Sequence, residues 1–277
     1  MTTANDSLIV TDLRVEFDGF VAVGGVSFDA HPGEVRFLIG PNGAGKTTCI
    51  DAITGLSRGT GSVKLGDQEL LGTPVNKIVR LGVGRTFQTA SVFEQLSVLQ
   101  NLDIAAGLHR SAFSLLRARR GVDPRIEEAL EEIGLDAERE TPAGILSHGQ
   151  KQWLEIGMML VQNPRALLLD EPVAGMSQDE RTATGELLQR IAARRTVLVV
   201  EHDMDFMRRY ASRVTVLHQG TVLSEGTVAD VQGDSRVQEV YLGTAAAQTI
   251  TGTMVMPEGV PAIPDRVPYS ASQGKGA

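Results

Sequence analysis

The stretch Val35-Arg36-Phe37-Leu38-Ile39-Gly40-Pro41-Asn42-Gly43-Ala44-Gly45-Lys46-Thr47-Thr48 decides the fold. Its first five residues form a short, nearly continuous apolar strand, compatible with burial on both faces. From Gly40 to Thr47 the chain fills the pattern G-x-x-x-x-G-K-[ST], and a helix-length segment follows from Lys46. Glycines at 40, 43 and 45 let the backbone turn so that successive amides face inward, and the helix start offers its positive dipole end to phosphate. Lys46 is expected to bridge β and γ phosphates, and the Thr47 hydroxyl to sit on Mg²⁺.

On the N-terminal side, Leu13 to Phe17 and Val26 to Ala30 alternate apolar with polar residues, which predicts antiparallel strands, and Gly61 to Leu71 adds another β stretch. On the C-terminal side the character becomes helical. Asp123 can cap a helix that Pro124 opens, Ile126, Leu130 and Ile133 share one face, and Gly134 suits the stop. Strand and helix patterns then alternate through Ala166 to Leu169, Asp179 to Ala193, Thr196 to Val200 and Met204 to Ala211, the signature of a resumed parallel sheet. The fold class is therefore α/β, a phosphate-loop NTPase core with a mixed sheet, an N-terminal antiparallel β subdomain and an inserted helical subdomain. The expected domains are 1–88 and 159–243 for the core, 89–158 for the helical insert, and a disordered tail at 244–277.

Composition narrows the classes. The chain has 277 residues, 30 of them glycine, with one cysteine and a net charge of −8. Cys49 has no partner for an internal bridge, so a reducing, cytosolic setting is expected. No apolar run approaches the ~18 residues of a spanning helix, so a membrane role is expected to be peripheral. The acidic balance argues against nucleic-acid binding. Arg110 to Arg120 holds four arginines and is expected to be a solvated helix face.

Asp170 and Glu171 follow the apolar strand Ala166 to Leu169, at the carboxyl end where open α/β sheets place ligand-binding groups. Asp170 is expected to hold Mg²⁺, and Glu171 to polarise an attacking water. His202 ends the parallel strand Thr196 to Val200 and is expected in the same crevice. Ser147 and Gly149 start a predicted helix and offer a second anion site, although a serine there can also be a simple N-cap.

The string Leu146-Ser147-His148-Gly149-Gln150, about twenty residues before Asp170-Glu171-Pro172, resembles the signature of ABC-type ATP-binding subunits. The resemblance extends nearly to Gly243. It implies ATP and Mg²⁺ as ligands, with ATP held by Phe17 stacking on adenine and by Gly40, Pro41, Asn42, Gly43, Ala44, Gly45, Lys46, Thr47 and Thr48. Phe20 is a nearby competitor for the stacking role. Gln88, in Arg85-Thr86-Phe87-Gln88, matches the Gln loop and joins Thr47 and Asp170 as a Mg²⁺ residue. The catalytic set implied is Glu171, His202, Lys46 and Gln88.

In that family, Ser147, His148, Gly149 and Gln150 act on ATP held by a partner subunit, so two cassettes sandwich two nucleotides. His148 stands where glycine is commoner and has no assigned chemistry. Ser177 stands where many members have aspartate. Within the family, Gly84 to Gln88, Glu171 to Met176 and Val200 to Met204 resemble the branched-chain amino-acid and urea uptake group, and Leu146 to Met158 and Val214 to Gly220 look most like the urea type.

The implied partners are a second, related ATPase subunit, two membrane permeases and, indirectly, an extracytoplasmic solute-binding protein. The implied location is the cytoplasmic face of the inner membrane. The expected function is an ATPase energising urea uptake, with a branched-chain amino-acid importer as the alternative. A non-transport ABC switch in translation or DNA repair is a rival of another class, opposed by the single cassette and the negative charge. A small-molecule kinase would leave the Leu146 to Gln150 string unexplained.

Overall fold

The computed structural model describes residues 6–86, 91–107 and 122–241. Strands β1 (Leu8–Phe17) and β2 (Phe20–Ala30) form a hairpin, joined by Asp18-Gly19 with φ of 46° and 86°, the left-handed pair that a two-residue turn requires. Leu8, Val10, Leu13 and Val15 are all buried, yet Val10 and Leu13 lie three apart. A break in register between Val10 and Leu13, with Asp12 at φ 48°, restores the alternation and keeps all four on one face. With β4 (Thr60–Leu65) and β5 (Gln68–Glu69) the hairpin completes an antiparallel sheet of order β2-β1-β4-β5.

The second sheet has the order β10-β9-β3-β8-β7-β6. Its strands are β3 (Val35–Ile39), β6 (Val83–Arg85), β7 (Ala166–Asp170), β8 (Thr196–Val200), β9 (Arg213–His218) and β10 (Thr221–Gly226). Only the β9–β10 pair is antiparallel. Strands β3, β7 and β8 are buried at every residue, because each face of the sheet meets its own core. Leu167, Leu169, Val197 and Val199 enter the core shared with the helices, whereas Leu168, Leu198 and Val200 enter the one shared with the antiparallel sheet.

The helices are α1 (Lys46–Ile53), α2 (Val75–Arg80), α3 (Val98–Gly107), α4 (Pro124–Ile133), α5 (His148–Leu160), α6 (Gln178–Ala192), α7 (Met204–Tyr210) and α8 (Val228–Gly233). Asp123 caps α4 by accepting from the Arg125 amide at 3.1 Å, and Gly134 ends it at φ 69°. Helix α5 crosses α3 and α4 closely. A Cβ on Gly157 would lie 2.6 Å from Ile133 Cδ1 and 3.2 Å from Leu102 Cδ2, so only glycine fits that crossing. Because α5 runs unbroken to Leu160, the expected insert boundary at 158 falls inside a helix. Arg110 to Arg120 and the tail 244–277 lie outside the described residues. Among those residues no helix is long and apolar enough to cross a membrane.

Candidate active site

The loop after β3, Asp170-Glu171 after β7 and Glu201-His202 after β8 gather at the carboxyl ends of three adjacent parallel strands. Gly40 (φ 154°) could not be alanine, since its Cβ would come within 2.3 Å of Leu217 O. Helices α4 to α8 each start with a side chain that accepts from a backbone amide. Helix α1, like the short α2, has no side-chain cap and no acidic residue in its first turn, Gly45 standing at its start. The first-turn amides of α1, which begins at the end of the glycine-rich loop, have no side-chain acceptor and can serve an anion.

Lys46 is almost fully buried, and its Nζ donates to Gly40 O at 2.7 Å and Pro41 O at 3.1 Å. The ammonium thus rests on the loop's own carbonyls, in the cradle a phosphate would enter. Burial pulls its pKa down, against the opposing pull of Glu171, Asp170 and Glu201. The loop lines a crevice of about 450 Å³ formed by Asn42 to Thr48, Glu171, Ala22 and Phe20. The aromatic that lines it is Phe20, which is 69% exposed. Phe17, expected to stack on adenine, pairs with Phe20 across the hairpin and is not part of this lining.

Asp170 ends β7 almost fully buried, and burial raises its pKa in spite of Arg85. Oδ2 lies 3.6 Å from Arg85, while Oδ1 is buried without a hydrogen-bond partner. That orphaned oxygen and the exposed Thr47 hydroxyl are hard donors of the kind magnesium takes, so the residues present fit the ion. Arg85 also donates to Asp51 at 2.6 Å and Thr54 at 3.0 Å, which ties β6 and β7 to α1.

Glu171 has a left-handed backbone (φ 51°), a conformation costly for a non-glycine residue, held by its amide donating to Val200 O at 2.9 Å. His202 Nδ1 lies 3.3 Å from Glu171 Oε1. Beneath them the buried Glu201 carboxylate accepts from the amides of Val173 (3.3 Å), His202 (3.1 Å) and Asp203 (3.4 Å), fastening both loops. Gln88 lies outside the described residues.

Ser147 to Gln150, the signature turn, are not among the residues lining this crevice. Ser147 caps α5 by accepting from the Gln150 amide at 3.1 Å, and the Gln150 side chain accepts from the Ser147 amide at 3.0 Å. His148 Nε2 lies 3.0 Å from Ala174 O. Ser177, in place of aspartate, caps α6. Trp153 donates to Thr184 at 2.8 Å and, like Met158, packs at the edge of the helical core, with Met159 inside. The Cys49 thiol is buried and pushed up to about 12. Sequence reasoning missed Arg85 and Glu201. A charged residue directly after an apolar strand was the only local sign of Glu201; Arg85 had none.

Fold and site together define a phosphate-loop ATPase with an acidic pair at its strand ends. The ABC transporter model matches residues 23–174, and a model described as branched-chain amino acid ATP-binding cassette transporter matches 221–247. The chain is 36% identical over 250 residues to the high-affinity branched-chain amino acid transport ATP-binding protein LivG of Escherichia coli, covering 86% of this chain and 98% of LivG. It is 35% identical over 250 residues to BraF of Pseudomonas aeruginosa, with the same coverage. Among solved structures, MJ1267, an ATP-binding cassette of an ABC transporter in its ADP conformation, superposes with a TM-score of 0.75 at 29% identity, covering 85% of this chain and 98% of that one. The chain therefore belongs to the ABC transporter family, as an ATP-hydrolysing subunit of the kind that works in dimers with membrane permeases.

Proposed function

We propose that this chain is the ATPase of an importer for branched-chain amino acids. The observation that carries the solute is the likeness to branched-chain transport ATPases along nearly the whole chain, joined by the match at 221–247. The urea assignment rested on short motif strings and finds no such support. Proposed partners are a second ATPase subunit, different or identical, two permeases, and a solute-binding protein acting through them at the inner membrane.

ATP enters the crevice with its base on Phe20 and its phosphates on the amides of Gly40 to Thr48. Lys46 leaves Gly40 O and Pro41 O for phosphate oxygens. Thr47 and Asp170, with Gln88, would hold Mg²⁺, which neutralises phosphate charge. Glu171 orients the attacking water and takes its proton on a carboxylate oxygen, and His202 sits within reach of both Glu171 and the γ-phosphate. Ser147 and Gly149 complete the opposite subunit's site, so two cassettes close over two nucleotides, and hydrolysis reopens them. Uptake of labelled leucine and labelled urea in a deletion strain tests the solute: leucine entry is lost and urea entry kept. The reverse result would overturn the assignment.

A further inference from the structure

Of the two proposed phosphate sites of this subunit, one is filled from within: at the signature turn a carboxylate stands where a phosphate oxygen is expected. Glu180 Oε1 accepts from Ser147 Oγ at 2.7 Å and from the Gly149 amide at 3.2 Å. A Cβ at Gly149 would lie 2.6 Å from that oxygen, so the close approach depends on glycine. The other oxygen, Oε2, accepts from the Ser177 amide and hydroxyl, each at 2.9 Å, and completes the capping box of α6. One carboxylate thus joins the starts of two helices, α5 and α6. These bonds hold its pKa down to about 2, so it is a permanent anion at any ordinary pH.

We infer that Glu180 is a specificity-determining residue of dimer closure: its carboxylate occupies the signature turn's anion site, and only a nucleotide whose γ-phosphate can displace it closes the dimer. The inference rests on the assignment of Ser147 and Gly149 to the partner's nucleotide. Ser147 is exposed, so an incoming phosphate can reach its hydroxyl, whereas Gly149 is buried with Glu180 packed on it, so its amide is reached as that carboxylate leaves. A hydroxyl and one amide cannot serve two anions at full strength, and two like charges within a few ångströms repel, so the carboxylate must swing out. Ligands that end at the β-phosphate do not reach across the seam and leave Glu180 seated. The Ser177–Glu180 cap then acts as the hinge point that carries the exchange into α6.

Glu180→Gln separates the two roles of this side chain. Glutamine also completes a capping box, its carbonyl taking the Ser177 bonds, while its amide nitrogen cannot accept from Gly149. The full-length chain carrying Glu171→Gln, which slows hydrolysis, is titrated with MgATP and its dimerisation followed by analytical sedimentation, with and without Glu180→Gln. Loss of a charge-assisted acceptor at each of the two seams lowers the half-closing ATP concentration about five- to tenfold. An equal or higher midpoint with Glu180→Gln, while the Glu171→Gln chain dimerises, overturns the inference alone. No ATP-driven dimer of the Glu171→Gln chain, either alone or mixed with its second ATPase subunit, overturns the shared-site assignment, and the inference with it.

Discussion

Ser147 is both a helix cap and a candidate phosphate ligand, and replacing it with alanine weighs the two roles against each other. Its Oγ accepts from the Gln150 amide at 3.1 Å and donates to Glu180 at 2.7 Å. Losing an N-cap costs about 1 kcal/mol, and an exposed hydrogen bond to a carboxylate adds about as much again at most. For a domain of this size that lowers the melting temperature by roughly 2–8 °C, leaving the chain folded at 25 °C. A cap alone would therefore leave turnover at 25 °C nearly unchanged. A donor aimed at the transferring phosphoryl group is worth about 10²- to 10³-fold in rate. Differential scanning fluorimetry and phosphate release at saturating ATP, run on the same Ser147→Ala protein, separate the effects. The expected result is a small melting shift with turnover down at least a hundredfold. A melting shift with turnover within twofold of the parent would reduce Ser147 to a cap and refute its placement in the partner's site.

Other outcomes follow from the same geometry. Glu171→Gln keeps nucleotide binding and loses about 10²- to 10⁴-fold in turnover, read by single-turnover phosphate release; near-normal turnover removes Glu171 as the base. Phe20→Ala weakens binding of a fluorescent ATP analogue by about 1–3 kcal/mol, the scale of base–aromatic stacking, and Phe17→Ala by less; the opposite ranking returns the stacking role to Phe17. Glu180 has its carboxyl held below the ordinary 4.5, to about 2, so its stabilisation is full above about pH 4.5 and is lost as pH falls towards 2. Thermal unfolding of the parent and Glu180→Gln should accordingly differ at pH 6 and converge near pH 2; a constant gap would show that the ionised form contributes nothing.

Local patterns announced much of this protein because the chemistry there needs contiguous residues. A strand running into Gly40 to Thr47 can cradle phosphate without knowing what lies elsewhere, and two adjacent carboxylates at the end of an apolar strand repel each other unless a cation joins them. The α4 boundaries were legible because Asp123, Pro124 and Gly134 act on their own backbone. The choice between Phe17 and Phe20 was not. Both lie on one hairpin, and which ring lines the crevice depends on how that hairpin leans over the loop. The solute was not legible for a different reason: short strings around the nucleotide serve hydrolysis, which members for different solutes share.

From its sequence alone, then, the chain determines its phosphate loop, its acidic pair, its capped helices and its membership among ABC cassettes, since each depends on neighbours within a few residues. Only the tertiary structure decided that Arg85 braces Asp170 and Asp51, that Glu201 fastens two loops, and that Glu180 fills the signature turn. These contacts join residues distant along the chain, Ser147 and Glu180 being 33 apart. A charged side chain carries no local mark of its partner, because the pairing is set by where packed strands and helices bring the backbones together.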